Sequence, residues 1–351
     1  MLEQILEHYQ LNRPSVKVTP FGSGLINHTW LVKEDNNEYI LQRINHNIFK
    51  EPEAIAANIN LLGKYLSSGH PDYLFVKPVS TISGEDLVYI EAEGYFRLFP
   101  FVKDSHTIDV VNNPSQAFEA AQQFGRFTKL LSGLNANDLK ITLPDFHNLS
   151  LRYRQFESAL LNGNKERIKE SEDAIKLLQK FRDIVSVSES ISHNPDFKKR
   201  VTHHDTKISN ILFNEEDKGL CVIDLDTVMP GYFISDVGDM FRTYLSPVSE
   251  EEKDFSKIEI RDEYFFTIKE GYLHEMNDEL SLPEKDHFIY AGKFMIYMQA
   301  LRFLTDHLNN DIYYGARYEG HNFIRANNQL VLLQRLSEKE KELSNPLFHF
   351  E

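Results

Sequence analysis

The first part of the chain alternates short apolar runs with turn residues, which is the pattern of a β-sheet. Two adjoining segments, FGSGLINHTWLVKED and NEYILQRIN, predict three strands, with a glycine turn inside the first segment. Further along, LVYIEAEGYFRLFPFV predicts two more strands that meet at Glu93-Gly94. Between them, residues 52–69 have apolar positions at helical spacing and a proline in the first turn. This region therefore predicts a sheet accompanied by one long helix.

Beyond about residue 105 the apolar positions recur every three to four residues, as on one face of an α-helix. The first of these helices is predicted to begin at Asn113-Pro114 and to end near Gly133. A clear exception is ILFN-EEDKG-LCVID, which predicts a β-hairpin. We therefore expect an α+β fold with a small β-rich N-lobe, residues 1–102, and a larger, mostly helical C-lobe, residues 103–351.

The composition is that of a soluble globular protein, with 41% hydrophobic and 26% charged residues among 351. A net charge of -15 without a dense Lys/Arg run argues against nucleic-acid binding. The single cysteine, Cys221, excludes an intramolecular disulfide and suggests a reducing compartment. The N-terminal MLEQILEHYQ lacks the features of a signal peptide, and no apolar run is long enough to span a membrane. We therefore expect a cytoplasmic protein with no membrane or nucleic-acid partner.

The segment VTHHDTKISN, residues 201–210, brings two histidines, an aspartate, a lysine and an asparagine together. A solvated loop, a zinc site and a loop that handles phosphate are all compatible with these residues. Zinc prefers several His or Cys ligands at defined spacing, whereas adjacent histidines point in different directions. We therefore expect His203 to support the loop from beneath rather than to bind metal.

The hairpin that follows supplies further oxygen ligands. If its turn centres on Asp217, antiparallel pairing places Asn210 opposite Asp224 at the open end. An amide oxygen and a carboxylate suit Mg²⁺, which completes its shell with water and substrate phosphates. Asp226, just beyond, is either a second metal ligand or a brace for the loop.

The order His-x-Asp-x-Lys-x-x-Asn, a hairpin and then Asp resembles the catalytic loop and metal-binding Asp of the protein-kinase-like superfamily. Within it, the chain resembles the aminoglycoside phosphotransferase and choline kinase branch, and most of all the bacterial N-acetylhexosamine 1-kinases. The resemblance extends over nearly the whole chain and rests on these segments: FGSGLINHTWLV, YILQRIN, RLFPFV, HHDTKISN, CVIDLDTVMPG and RFLTDHLNNDIYY. It implies a protein-kinase-like bilobal fold and a reaction that uses ATP and Mg²⁺.

The resemblance also implies roles for the loop residues. Asp205 would be the base or would orient the acceptor hydroxyl, and Lys207 would reach the γ-phosphate. The metal ligands would be Asn210, Asp224 and Asp226. Asp236, in DVGDMFR, would brace the large lobe.

The nucleotide site is expected in the N-lobe. Gly22, Ser23 and Gly24 would let the backbone approach the phosphates. The third strand lacks the usual kinase lysine, and alternation puts Leu41 and Arg43 on one face. We therefore predict Leu41 against adenine and Arg43 at the phosphates. The segment from Phe99 to Phe101 would be the hinge, with backbone groups at the adenine edge.

The acceptor site is predicted from the C-terminal helical segments. Arg302 and Asp306 are one helical turn apart, and a surface ion pair is the alternative interpretation. The other candidates are Tyr313, His147 and Arg152. The resemblance implies phosphorylation of the anomeric hydroxyl of an N-acetylhexosamine by a monomer or homodimer.

Two alternatives to that activity stay open. The first is a kinase of the same fold with another acceptor, such as choline, homoserine, an aminoglycoside or a different sugar. The second is a nucleotide-binding pseudokinase, which the missing third-strand lysine favours weakly and the intact catalytic loop disfavours.

Overall fold

A computed structural model describes residues 2–11, 15–22 and 26–345. The N-terminal region is a five-stranded antiparallel sheet with the strand order β1-β2-β3-β5-β4. The strands are β1 (Lys17–Pro20), β2 (His28–Glu34), β3 (Asn37–Arg43), β4 (Val88–Ile90) and β5 (Gly94–Pro100). Two helices accompany them, α1 (Leu2–Glu7) and α2 (Pro52–Gly69). Four of the predicted strands and the long helix are confirmed, whereas the first strand, β1, lies before FGSGLINHTWLVKED and not within it as predicted.

The two faces of this sheet have different surroundings. One face carries Leu41, Phe96 and Leu98, which are buried in a small core with Ile5 and Leu6 of α1. Since neighbouring residues of a strand point to opposite faces, the next position along β3 belongs to the other side. There Gln42 lies directly opposite Arg97 of β5, and Arg97 turns toward the rest of the molecule.

The remainder of the chain is mostly helical and encloses a second, larger core. Its helices are α3 (Pro114–Leu130), α4 (Leu149–Asn162), α5 (Lys165–Glu170), α6 (Glu172–Lys180), α7 (Asp183–His193), α8 (Phe233–Tyr244), α9 (Asp262–Met276), α10 (Leu282–Asp286), α11 (Phe288–Leu308), α12 (His321–Glu338) and α13 (Glu340–Leu343). Helix α11 is apolar over most of its circumference, as expected of a helix surrounded by protein. It packs against α4, α8 and α12.

Helix starts follow local chemistry. Asn113 caps α3 as predicted, because its side chain accepts the amide of Gln116 at 3.0 Å. Helix α10 begins with a capping box between Ser281 and Glu284, and the buried Glu284 also pairs with Arg200. That pair ties α10 to the strand that leads into the 201–210 loop.

Two short antiparallel pairs frame that loop. Strand β6 (Arg200–Thr202) pairs with β9 (Met229–Gly231), and β7 (Ile211–Phe213) pairs with β8 (Gly219–Val222). The predicted hairpin exists, but its predicted register is wrong by one residue. Ile211 pairs with Val222, so Ile223 rather than Asp224 lies opposite Asn210, and the Ile223 amide donates to the Asn210 carbonyl at 2.9 Å. The turn centres on Glu216 rather than Asp217, because Phe213 pairs with Gly219 and the Asn214 amide donates to the Lys218 carbonyl. The irregularity between Leu212 and Phe213 then moves the register back by one residue toward the predicted one.

The mixed α+β architecture, with a sheet first and helices after it, is confirmed. The last strand of the sheet ends at Pro100 and the first long helix of the second part begins at Pro114. A lobe boundary at residue 102 stays a prediction. Within the described ranges, no helix is both long and apolar enough to cross a membrane.

Candidate active site

The backbone of the 201–210 loop is held by two carboxylates of α8. Asp236 is buried and accepts the amides of His203 and His204 at 3.0 and 2.7 Å. One turn further along α8, Asp239 accepts the amide of Thr206 at 2.9 Å. Burial raises the pKa of Asp236 to about 7, although the two amides act in the opposite direction. Between strand β6 and the 3-10 turn of Ile208–Asn210, the loop is therefore fixed by buried hydrogen bonds to α8.

The two histidines lie inside the protein. His203 packs edge-on against Phe124, with ring centroids 5.1 Å apart, and its Nε2 lies 3.0 Å from the carbonyl of Ile223. His204 has a left-handed backbone (φ +67°) and lies above Gly231, where a Cβ would approach the imidazole to 2.4 Å. Burial lowers the pKa of His203, and it lowers the pKa of His204 to about 4. Both rings are therefore neutral at neutral pH.

Asp205 lies at the centre of the loop between a lysine and an amide. Lys207 Nζ lies 3.1 Å from Oδ1, and Asn210 Nδ2 donates to Oδ2 at 3.2 Å. Burial alone would raise the pKa of Asp205, but the charges of Lys207 and neighbouring groups outweigh it and lower the pKa. Lys207 is half exposed, and the Asp205 and Asp239 carboxylates raise its pKa against the opposing effect of burial. The structure thus brings an ionised carboxylate and a cation to one site.

A second pair of carboxylates lies at the end of β8. Asp224 has a left-handed backbone (φ +59°) that turns the chain out of the hairpin. Surrounding protein atoms, followed by the carboxylates of Asp226 and Asp205, raise the pKa of Asp224 to about 7. A divalent cation would reduce the repulsion among these carboxylates. Asn210 contacts Asp205 through its Nδ2, so its side-chain oxygen is left available for a metal ion. The donor set of Asn210 and Asp224 therefore fits Mg²⁺.

Asp226 differs from Asp224 because it is almost fully buried and both of its oxygens are engaged. Oδ1 lies 2.5 Å from a guanidinium nitrogen of Arg97, and Oδ2 accepts the side-chain amide of Asn27 at 2.8 Å. Arg97 also donates to Gln42 at 2.9 and 3.1 Å. Sequence reasoning missed Arg97, although an arginine inside the apolar run YFRLFPF was a usable signal.

The predicted roles of Leu41 and Arg43 do not agree with the geometry. The two residues share a face, as alternation requires, but that face packs on α1. Arg43 lies 6.0 Å from the Phe96 ring and pairs with Glu93 at 3.3 Å. Alternation along one strand fixes which residues share a face and leaves open which face meets the site. The opposite face of β3, which is directed toward Asp226, carries Gln42 instead.

The predicted hinge is fully described, whereas the glycine-rich segment is described only in part. The amide of Phe101 donates to the Glu38 carbonyl at 3.0 Å, and Phe99 pairs with Ile40 in the sheet. Their amides are therefore used by strand pairing and are not free to donate to adenine. A contact through their carbonyl groups stays a prediction. The Phe101 ring contacts Phe21 edge-on at 6.2 Å, and the next residue, Gly22, has φ +77°. The predicted contacts of Ser23 and Gly24 lie outside the described residues.

Four of the five predicted acceptor residues line one cavity of about 340 Å³ between α4 and α11: Arg152, Arg302, Asp306 and Tyr313. Asp306 does not pair with Arg302, because its oxygens accept the amides of Tyr313 and Tyr314 at 2.7 and 2.9 Å. The Arg302 guanidinium instead lies 5.3–5.8 Å from three rings: Phe146, Tyr313 and Tyr314. Among the residues that the structure describes, no carboxylate forms an ion pair with Arg302 or Arg152.

The fifth predicted residue, His147, connects this cavity with the loop. Its Nδ1 lies 3.2 Å from Nδ1 of His204, the residue before Asp205. Its ring also stacks on Phe146, which contacts Arg302. Burial holds the pKa of His147 well below its usual value. A continuous set of contacts therefore runs from the Asp205 loop to the α4–α11 cavity.

A model of the phosphotransferase enzyme family (APH) matches residues 17–256, which include the sheet, the 201–210 loop and the Asp224 hairpin. The chain belongs to this phosphotransferase family.

Several solved structures are similar to this phosphotransferase over nearly its whole length. A microcompartment-associated aminopropanol kinase has a TM-score of 0.64 at 16% identity, covering 98% of each chain. Spectinomycin phosphotransferase APH(9)-Ia, in complex with ADP and spectinomycin, has a TM-score of 0.62 at 12% identity, covering 97% of this chain and 98% of that one. A choline kinase from Cryptosporidium parvum has a TM-score of 0.60 at 14% identity, covering 99% and 97%. At these identities the likeness shows the fold.

The support that α8 gives to the loop of this phosphotransferase is testable with Asp236→Ala. The change leaves two buried amides without an acceptor, while it also removes a costly buried carboxylate. We expect the free energy of unfolding to fall by about 2–3 kcal/mol, measured from urea denaturation curves. Asp278→Ala, at an exposed position, is the matched control and should leave the midpoint unchanged. Equal midpoints for both variants would contradict the brace.

Proposed function

We propose that this phosphotransferase is an ATP- and Mg²⁺-dependent kinase that phosphorylates the anomeric hydroxyl of an N-acetylhexosamine. The resemblance of HHDTKISN, CVIDLDTVMPG and RFLTDHLNNDIYY to N-acetylhexosamine 1-kinases supports this substrate. The charge of the acceptor-side cavity supports it independently, because that cavity favours an uncharged acceptor.

The observation that carries the proposal is the placement of Arg302 among three aromatic rings. Kinases that act on choline, ethanolamine or an aminoglycoside must bind an ammonium group, through aromatic faces or carboxylates. Here the aromatic cluster already surrounds a cation of the protein itself. The carboxylate of the cavity, Asp306, is occupied by backbone amides and by Asn322. An ammonium group would therefore meet repulsion from Arg302 and find no free anion at Asp306, whereas sugar hydroxyls and an acetamido oxygen are good acceptors for a guanidinium.

The loop residues supply the chemistry in this proposal. Asp205 accepts a hydrogen bond from the acceptor hydroxyl and orients it toward the γ-phosphate. Lys207 is cationic and exposed enough to leave Asp205 for a phosphate oxygen. Asn210 and Asp224 hold Mg²⁺, which when bound neutralises phosphate charge. Phe21, Phe99 and Phe101 are proposed to contact the adenine through their rings.

The acceptor specificity is tested by ADP release with Mg-ATP and a panel of acceptors. The neutral members are GlcNAc, GalNAc, glucose and galactose, and the others are homoserine, choline, ethanolamine and kanamycin. We expect turnover on an N-acetylhexosamine and little on the cationic compounds, with a ³¹P NMR signal coupled to an anomeric proton. Faster turnover of choline or kanamycin would contradict the acceptor assignment. Nucleotide binding without turnover of any compound would favour a pseudokinase.

Replacement of Asp205 by asparagine separates catalysis from nucleotide binding. The change keeps the side chain's shape but removes the acceptor for the hydroxyl proton, so kcat should fall by about 10²–10⁴-fold. The Kd for Mg-ADP, measured by calorimetry, should change little, and Asp278→Asn should resemble the unmodified protein in both assays. Loss of nucleotide binding in Asp205→Asn would show that the residue holds nucleotide instead.

Replacement of Arg302 by alanine tests the acceptor side. Loss of a charged hydrogen-bond donor should raise the KM for the sugar about tenfold or more while the KM for ATP is retained. The exposed Arg317, nearby in the chain, provides the matched control Arg317→Ala. An increase confined to the KM for ATP would exclude Arg302 from the acceptor site.

A further inference from the structure

Four side chains form a buried connection between the sheet and the metal loop. Asp226 contacts Arg97 through one oxygen and Asn27 through the other. Arg97 in turn donates twice to Gln42 on the neighbouring strand. The Asn27 side-chain oxygen accepts the backbone amide of Asn45 at 3.0 Å. The connection therefore joins three separate segments of the sheet to a single carboxylate.

Asn27 places one end of this connection next to the predicted phosphate-binding segment. Asn27 is the last residue of the glycine-rich segment FGSGLIN, just before β2. Asp226 is two residues beyond Asp224, the proposed Mg²⁺ ligand. The segment proposed to cover the phosphates and the residue proposed to hold their metal are thus linked through Asn27 and Asp226.

The contacts of Asp226 also separate its role from that of Asp224. Both of its oxygens have close partners, and 2% of its side chain is exposed. A metal ligand needs an oxygen that faces the metal and its water shell. Asp224, which is exposed, meets this condition, whereas Asp226 would have to abandon Arg97 or Asn27.

Arg97 of β5 supplies a positive charge on the face where β3 carries the uncharged Gln42. Gln42, opposite Arg97, occupies the cleft side of β3, and its amide oxygen accepts both Nε and a terminal nitrogen of Arg97. The guanidinium is thereby fixed beside Asp226, two residues beyond Asp224. The positive charge next to the metal loop is therefore supplied from β5.

We propose that Asp226 is a positioning residue and not a metal ligand: through Arg97 and Asn27 it holds the sheet, and the start of β2 in particular, over the metal loop. The inference deepens the proposed function, on which it rests for the identity of the ligand as a nucleotide. Its direct consequence is that the two partners of Asp226 matter for nucleotide binding as much as Asp226 itself.

The test compares Asp226→Asn, Arg97→Met and Asn27→Ala with Asp224→Asn. The first three should each raise the Kd for Mg-ADP about tenfold and leave the Mg²⁺ concentration for half-maximal turnover unchanged. Asp224→Asn should raise that Mg²⁺ concentration. The double variant Arg97→Met/Asp226→Asn should bind nucleotide no worse than Asp226→Asn alone, because that single variant has already lost the charge that Arg97 pairs with.

A readout independent of turnover is amide hydrogen exchange over residues 26–34 in the metal-free, nucleotide-free protein. Exchange should quicken in Asn27→Ala and Asp226→Asn and stay unchanged in Asp224→Asn. Asn47→Ala, at an exposed asparagine nearby, is the control for Asn27→Ala. Because Asn27 is only partly buried, its variant tests the connection even if the Asp226 variant fails to fold.

Three outcomes would overturn the proposal. One is an Asp226→Asn protein with the same raised Mg²⁺ requirement as Asp224→Asn while Asn27→Ala and Arg97→Met behave as unmodified protein. A second is unchanged nucleotide affinity in the Asp226, Arg97 and Asn27 variants. The third is unchanged exchange over residues 26–34. Absence of nucleotide binding in the unmodified protein would instead refute the proposed function, and the exchange measurement would still decide the connection.

Discussion

The candidate site depends on two carboxylates, one helical turn apart on α8, that accept backbone amides from the 201–210 loop. This loop forms no hydrogen-bonded pairs with a strand between Thr202 and Ile211, so its shape must come from elsewhere. Asp236 and Asp239 provide it at a cost, because burying two carboxylates raises the pKa of each. The cost is offset by the amides that would otherwise lack acceptors in a dry interior. The positions of Asp205, Lys207 and Asn210 follow from this arrangement.

The sequence predicts the local elements well because their signals are local. Strand alternation, the Pro52 helix start and the Asn113 cap each depend on residues within one or two turns. The predicted hairpin register is wrong by one because the turn centres on Glu216 rather than Asp217, and an irregularity between Leu212 and Phe213 compensates only half of that difference. The choice between the faces of β3 failed for a different reason: helix α1 covers one face, and nothing within YILQRIN says which.

The long-range partners of the site could not be predicted, since they join residues far apart in the chain. Arg97 and Asp226 are separated by more than a third of the sequence, and Asn27 and Asp226 by 199 positions. The Arg302–Asp306 spacing suggested an ion pair, but the turn that follows α11 brings two amides closer to the carboxylate. Asp226 and Asp306 each had several possible partners in the sequence, and only the tertiary structure determines which of them lie close enough to bind.

The aromatic cluster around Arg302 has a consequence for how acceptor preference changes during evolution. Phe146 lies before α4, whereas Tyr313 and Tyr314 follow α11, so the cluster is held by two separate segments. The guanidinium lies among the rings, and its only hydrogen bonds within the described residues are to the side chains of Gln299 and Tyr313, at 3.4 Å each. Under the proposed function, a single side chain therefore separates a pocket that repels positive charge from a pocket of π-faces open to it. If the proposed function is correct, a change in the preferred charge of the acceptor needs a substitution at position 302 and no change in the Asp205 loop.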